Sequence, residues 1–392
     1  MSIQKLPLCA ALAIVFTVGL TACGPSDGPV STERSVSSLR LIGQQVLPRR
    51  MEFQSTVIGG LSGIDYDAAN SRYVLMSDDR TSTDSNNAPR FYVANLAFNE
   101  TAFSGVTFVS TVAMKQPDGS VFPKVPDVKV TDPESVRIDP VNGNLVWTSE
   151  GDRFLGAAPR IIDPFIREMR PDGTHVRAYT LPTMFQMSAS ETGPRGNLAF
   201  EGLSFTPDKS KAVTITEGPL FADGAVPTTT TGATSRITVF DRGTGAATAQ
   251  YAYPVDKVQV EPVPASAFSV SGATEILALT NTKFLVLERS FSVGVVGNQV
   301  RLYEIDISSA TNVLNTASLA SATVTPVSKR LVLNFETLKA QLGGIANLEG
   351  MTFGPKLANG RDSLVVVADD NFPTADSSTD RNQILVFEVV PQ

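Results

Sequence analysis

Five times along the chain, a stretch that opens on small or acidic residues passes into alternating apolar and polar positions. The stretches are Leu61-Ser62-Gly63-Ile64-Asp65-Tyr66, Pro133-Glu134-Ser135-Val136-Arg137-Ile138, Phe200-Glu201-Gly202-Leu203-Ser204-Phe205, Thr274-Glu275-Ile276-Leu277-Ala278-Leu279 and Leu348-Glu349-Gly350-Met351-Thr352-Phe353. A period of two is that of a β-strand, whose successive side chains point to opposite faces. A turn rich in Asp, Asn, Pro and Gly follows each copy, and then a second apolar run that ends on an acid: Tyr73 to Asp79, Leu145 to Glu150, Ala212 to Glu217, Phe284 to Glu288 and Leu364 to Asp370. Each copy therefore predicts a β-hairpin. Third strands are predicted at Arg90–Val93, Pro164–Arg167, Ser235–Val239, Val300–Ile305 and Gln383–Phe387, and less regular fourth strands at segments such as Val176–Leu181 and Val324–Leu333.

Four strands per unit, repeated at intervals of about 70 residues, predict an all-β fold, a single β-propeller of four-stranded blades with its extra length in loops. Counting repeats gives five blades; six is the alternative if the irregular stretches Ala113–Thr131 and Phe291–Val332 conceal another. The last repeat reaches Gln392 with three strands, while Leu39–Leu47 near the start reads as a lone strand, so the N-terminal strand is expected to close the ring. One propeller domain over 39–392 accounts for the pattern.

The start of the chain follows another logic. Lys5, the apolar run Leu6–Leu20 and the small residues Thr21 and Ala22 before Cys23 have the layout of a signal peptide over 1–22 rather than of a membrane span. Leu20-Thr21-Ala22-Cys23 resembles the bacterial lipobox, which makes Cys23 the expected lipidation site. Cys9 would leave with the signal, so no disulfide is expected in the mature chain. Residues 23–38 turn to Gly, Pro, Ser and Thr and read as a flexible tether. Gly24, in place of an acid after the lipidated Cys, favours the outer membrane. The expected location is the cell envelope, at the outer membrane or its periplasmic face, with the lipid anchor as the one membrane contact and the propeller a monomer.

Charge and composition exclude several function classes. The net charge is −7, the pI is about 5.0 and no basic tract occurs, which argues against a nucleic-acid partner. His175 is the one histidine, in a hairpin turn and expected to be exposed, so multi-histidine zinc or iron sites and two-histidine phosphatases are excluded. No Gly-x-Ser-x-Gly elbow, phosphate loop or dinucleotide fingerprint is present.

What remains is acid. Aligning the copies puts Ser62, Glu134, Glu201, Glu275 and Glu349 at one equivalent position, and Asp78, Glu150, Glu217, Glu288 and Asp369 at another. In a propeller the first strand of each blade lines the channel, so nine carboxylates would converge on one end. Such convergence is costly unless hard cations, chiefly calcium with its six to eight oxygen ligands, or arginines cancel it. Doubled acids, Asp78-Asp79, Glu150 with Asp152, and Asp369-Asp370, add ligands, while Arg80, Arg153 and Arg289 follow closely behind. A plainer role, a carboxylate locking neighbouring blade backbones, weighs evenly for Glu275, whose copy lacks the following Gly. Asp67, Asp139 and Asp208 are assigned to capping their own turns.

With these residues in view, the chain resembles the phytase-like family, described by esterase-like activity of phytase. The resemblance is carried by Gly60 through Asp67, Ser77-Asp78-Asp79-Arg80, Asp132-Pro133-Glu134-Ser135, Asn197 through Leu203, Glu217-Gly218-Pro219, Leu287-Glu288-Arg289, and Asn347-Leu348-Glu349-Gly350 through Asp369-Asp370-Asn371-Phe372. The resemblance implies a propeller that hydrolyses phosphoric or other esters. Together with the acids it points to calcium-dependent hydrolysis of a small anionic ester, foremost a phosphomonoester. Asp78, Asp79, Glu134, Glu150, Asp152, Glu349, Asp369 and Asp370 would be metal ligands, with Glu201 and Glu217 as catalytic acids or bases and Arg80, Arg153 and Arg289 holding the anion. Two alternatives stand beside it: a surface-anchored binding propeller without catalysis, and a carboxylesterase or lactonase whose apolar pocket would lie near Phe154, Phe221, Phe291 and Phe372.

Overall fold

The computed structural model describes residues 1–2, 33–80, 87–373 and 379–392. The signal segment, Cys23 and most of the tether lie outside the described residues.

Five four-stranded antiparallel sheets are present among the described residues, each running outward from an inner strand. Blade 1 comprises 61–67, 72–77, 90–98 and 103–113; blade 2, 133–138, 145–149, 165–169 and 175–178. Blade 3 comprises 200–205, 211–216, 233–241 and 247–255; blade 4, 269–278, 283–292, 299–306 and 328–334. Blade 5 takes 347–353, 363–369 and 383–390 from the C-terminal end and Ser38–Val46 from the N-terminal end, paired antiparallel from Ser38 with Val390 to Val46 with Gln383. The N-terminal strand thus closes the ring as expected. No sixth sheet exists in the two stretches left open: Ala113–Thr131 holds only the bridge between Lys115 and Val121, and the second stretch is shared between blade 4 and its loops. The fourth strands Phe103–Ala113 and Ala247–Val255 escaped the sequence reading because an outermost strand has one covered face and weak alternation.

The predicted tether ends earlier than residue 38. Val36 is fully buried in the core between blades 4 and 5, and the Arg34 amide donates to the Leu279 carbonyl at 2.8 Å.

Blade stacking explains the apolar runs. In Ser363–Asp369, Leu364, Val366 and Ala368 pack in the core shared with blade 4, while Val365 and Val367 pack in the core shared with blade 1. A middle strand covered on both faces needs no polar alternation, and each such side chain contributes roughly 1.5–3 kcal/mol of burial.

Every inner strand carries a register shift at the same level: between Leu61 and Gly63, Pro133 and Val136, Phe200 and Leu203, Ala273 and Glu275, and Leu348 and Gly350. Bulges of this kind re-aim side chains. They also correct the alignment in blade 4. The residue equivalent to Ser62, Glu134, Glu201 and Glu349 is Thr274, and Glu275 falls one step further on, level with Gly63, Ser135, Gly202 and Gly350. Because side chains alternate, that single step turns Glu275 away from the acidic ring.

Glu275 instead plugs the channel. The glycines beside it let the inner strands approach: a Cβ on Gly63 would lie 2.6 Å from the Glu134 carbonyl oxygen, and one on Gly202 would lie 2.7 Å from Glu275 Oε1. Glu275 accepts from the Leu203 and Ile276 amides at 3.1 and 2.9 Å and from Arg137 Nη2 at 2.8 Å. Arg137 donates further to the carbonyls of Ile64, Leu203 and Met351. One buried ion pair thereby touches all five blades and closes the axis below the acids. The plainer role weighed for Glu275 is the one the structure shows.

Candidate functional site

Above the plug, the bulges and the ends of the second strands bring their side chains around a cavity of about 490 Å³. The bulges present Glu134, Glu201 and Glu349; the second strands end on Asp78, Glu150, Glu217 and Asp369. In blade 4 the residue at this second level is Arg289, since Ala273 pairs with Glu288 just as Leu61 pairs with Ser77 and Phe200 with Thr216. Glu288 correspondingly lies outside the cavity, accepting from the Tyr253 hydroxyl at 2.6 Å and from Lys329. The same one-residue step that removed an acid from each ring set a cation among the remaining ones. Arg289 Nη2 bonds Glu217 at 3.1 Å and Glu349 at 3.2 Å.

Arg80 enters from the loop after the second strand of blade 1. Its Nε lies 2.8 Å from Asp132 Oδ1, and its Nη2 donates to Asn197 Oδ1 at 2.7 Å. Asn347 donates to Glu349 at 2.8 Å and Asp369 at 3.1 Å. Gly60 makes room for Asp78: at φ +61° it has a backbone that favours glycine, and a Cβ there would fall 1.8 Å from Asp78 Oδ1.

Two guanidinium groups do not balance these acids. Burial, the largest influence, and neighbouring carboxylates push Asp78, Glu134, Glu150, Glu201 and Asp369 well above the usual carboxylate range. Burial likewise raises Glu217 to about 7 and Asp132 to about 6, although Arg289 and Arg80 oppose it. With no further cation the cluster is driven toward its protonated forms. Carboxyl oxygens of Asp132, Glu134 and Glu150 lie within 4.8 Å of one another, and so do those of Glu150, Glu201 and Glu217. Neither oxygen of Asp132, which is buried, receives an aligned hydrogen bond; the Arg80 contact is an ion pair only. Oxygen-only donors, two trios sharing Glu150 and an unsatisfied buried carboxylate fit a hard divalent cation such as calcium.

The other residues singled out from the sequence lie around this cluster rather than in it. Asp79 is buried against Arg90 Nη1 at 2.7 Å; Asp152 holds Arg160 Nε at 2.6 Å; Asp370 accepts from the Gly60 amide at 3.1 Å and from Asn382 Nδ2 at 2.8 Å. Arg153 gives its donors to the carbonyls of Ser188, Ala189 and Ser190, clamping a loop, and its guanidinium lies 5.0 Å from the Phe221 ring. Of the four aromatics near which an apolar pocket was expected, Phe291 alone lines the cavity. Asp67 and Asp208 cap their own turns as assigned; Asp139 does so and also pairs with Arg242 at 3.0 Å. His175 is half-buried rather than exposed, because it begins the outermost strand of blade 2.

Asp132, Asn197, Asn347 and Phe268 belong to the site and were not singled out. The first three stand inside the segments that carry the family resemblance, directly before or close to a ring acid. Phe268 had no signal, since its loop shares no pattern with the other blades.

A sequence model of the family described as phytase-like, esterase-like activity of phytase, matches residues 56–372. No curated protein sequence matches the chain. Among solved structures, a putative glycoside hydrolase from Parabacteroides distasonis aligns at TM-score 0.47 and 8% identity over 91% of this chain and 98% of that one. A GH43 β-1,3-galactosidase aligns at TM-score 0.46 and 10% identity over 88% of this chain and 94% of that one. A gluconolactonase from Xanthomonas campestris aligns at TM-score 0.32 and 11% identity, over 83% and 71%.

Proposed function

The chain belongs to the phytase-like family, and on that footing we propose that it is a calcium-dependent hydrolase of ester bonds, acting on phosphomonoesters at the acidic mouth of the propeller. The observation that carries this reading is the pair of buried acid trios joined at Glu150, with Asp132 left without an aligned donor. Asp132, Glu134, Glu150 and Glu201 would hold the cation, with Glu217 beside it. Bound there, calcium would supply a positive charge for the ester's anionic oxygens and acidify an attached water.

The protein's own groups supply the rest. Arg289 and Arg80, each tethered by a carboxylate, present guanidinium edges to the anion and orient it. Glu217, buried and held by Arg289, is placed to act as the general base. The water oxygen bonds to phosphorus, its proton passes to that carboxylate, and the P–O ester bond breaks as the leaving oxygen takes the proton back from the carboxyl group, releasing alcohol and inorganic phosphate. Lipidation at Cys23, holding the propeller at the envelope surface, is part of the same proposal, as is a monomeric propeller.

The test is release of p-nitrophenol from p-nitrophenyl phosphate with calcium and with EDTA, alongside p-nitrophenyl acetate. Calcium-dependent turnover of the phosphate, lost in Glu201→Gln, is the expected result. Turnover of the acetate alone would move the reading to a carboxylesterase, and turnover of neither would end it.

A further inference from the structure

One side of the cavity is unlike the rest. Phe268, in the loop before blade 4, and Val270 and Phe291, a cross-strand pair of its first hairpin, line it, and the two phenyl rings lie 6.3 Å apart. Phe268 is 64% exposed, an unusual position for so large an apolar side chain at the lip of a charged cavity. The wall continues outward. The Val263 amide bonds the Val293 carbonyl at 2.8 Å and the Val293 amide bonds the Phe268 carbonyl at 3.0 Å, so two loops form one crest that carries exposed Val263, Val293 and Val296. Isolated surface valines need no explanation; an apolar crest running into a cavity does.

The charges point the same way. Eight carboxyl groups line the cavity against two guanidinium groups. Both guanidinium groups are already paired, Arg289 with Glu217 and Glu349, Arg80 with Asp132. Even two divalent cations would leave carboxylates in excess. A polyol carrying several phosphates would meet repulsion on every side but one, and its polar ring would lie against phenyl groups. One anionic group can be accommodated at the cations, with an apolar remainder along Phe268 and Phe291.

We infer that the substrate is an ester with a single anionic head and an apolar arm, alkyl or aryl, which lies along the wall of Phe268, Val270 and Phe291, and that polyphosphorylated polyols are excluded. This rests on the hydrolase reading for what becomes of the ester, but the binding preference can be measured without turnover. Each fully buried methylene strengthens binding about fourfold, so an arm about one-third covered by an open wall gains on the order of tenfold over five methylenes.

The experiment is calorimetric titration of the purified protein in calcium with methylphosphonate, hexylphosphonate and inositol hexakisphosphate. Hexylphosphonate is expected to bind about tenfold tighter than methylphosphonate, with the hexakisphosphate weaker than both. In Phe268→Ser, whose side chain is largely outside the core, the ratio of the two phosphonates should fall to about threefold or less with the melting temperature retained. Equal affinities for the two phosphonates, a ratio that survives Phe268→Ser, tightest binding of the hexakisphosphate, or binding of neither phosphonate would each overturn the inference. Turnover is the separate readout: a chain that shows the phosphonate preference but cleaves no ester retains the apolar subsite and loses the hydrolase, whereas one that cleaves esters without preference for the arm does the reverse.

Discussion

Replacing Arg137 by Met removes the one group that touches every blade at the axis. In the native protein its guanidinium serves the Ile64, Leu203 and Met351 carbonyls and the Glu275 carboxylate, with 3% of the arginine and none of the glutamate exposed. Breaking a buried ion pair by deleting one partner costs about 3–5 kcal/mol. Glu275 has a partial escape. Burial already raises its carboxyl to about 7 against the opposing charge of Arg137, so without Arg137 it takes up a proton near neutral pH. That removes the bare charge but not the loss of donors to three carbonyls, each worth about 1 kcal/mol or more when the donor is charged. A total of about 4 kcal/mol follows, a large part of the 5–15 kcal/mol typical of a folded domain. The assay is urea unfolding in EDTA at neutral pH, followed by the fluorescence of the single, buried Trp147. Glu275→Gln alone should cost about 3 kcal/mol, because it leaves the arginine charge buried beside a neutral amide. The double variant should cost at least 2 kcal/mol less than the sum of the two. A loss under about 1 kcal/mol in Arg137→Met, or strict additivity in the double variant, would refute the plug as a device that holds the blades together.

The remaining predictions concern the mouth. Glu217 and Asp132, at about 7 and about 6, bind protons more tightly folded than unfolded, so their contribution is complete below the unfolded values and is lost as pH rises through the folded ones. In EDTA the melting temperature should therefore fall between about pH 4 and pH 7, by the equivalent of ~3 kcal/mol for each group; calcium should flatten or reverse the slope, and a rise with pH in EDTA would contradict the assignment. Arg289→Gln removes the cation that lowers Glu217, so the acidic limb of the rate profile should move to higher pH and KM for a phosphomonoester should rise about tenfold or more; a pH profile that stays in place would count against Arg289 as the partner of the base. Gly60→Ala should cost about 2 kcal/mol or more, from strain at positive φ and collision with Asp78, and weaken calcium binding measured by calorimetry.

The alternation of Ile64, Val136, Leu203 and Met351 with polar neighbours, and the acid-ended runs after each hairpin, were enough to identify five four-stranded blades and ring closure by the N-terminal strand, since strand periodicity and blade repetition are local and additive along the chain. The same alternation placed Glu134, Glu201, Glu349, Asp78, Glu150, Glu217 and Asp369 on one end. It misplaced Glu275 and Glu288 by one residue each, because matching acid to acid outweighed matching the buried apolar positions that set the register: Ile276 is the partner of Leu203, which makes Thr274 and Arg289 the residues at the two levels. Only the folded ring decides what a side chain faces across blades. Asp132 meets Glu134 and Glu150, Arg137 reaches four other blades, Arg153 turns away to clamp a loop, and Phe268 brings an apolar wall to an acidic cavity. These are contacts between segments tens to hundreds of residues apart, and a pattern of period two says which face of a strand is covered but not what covers it.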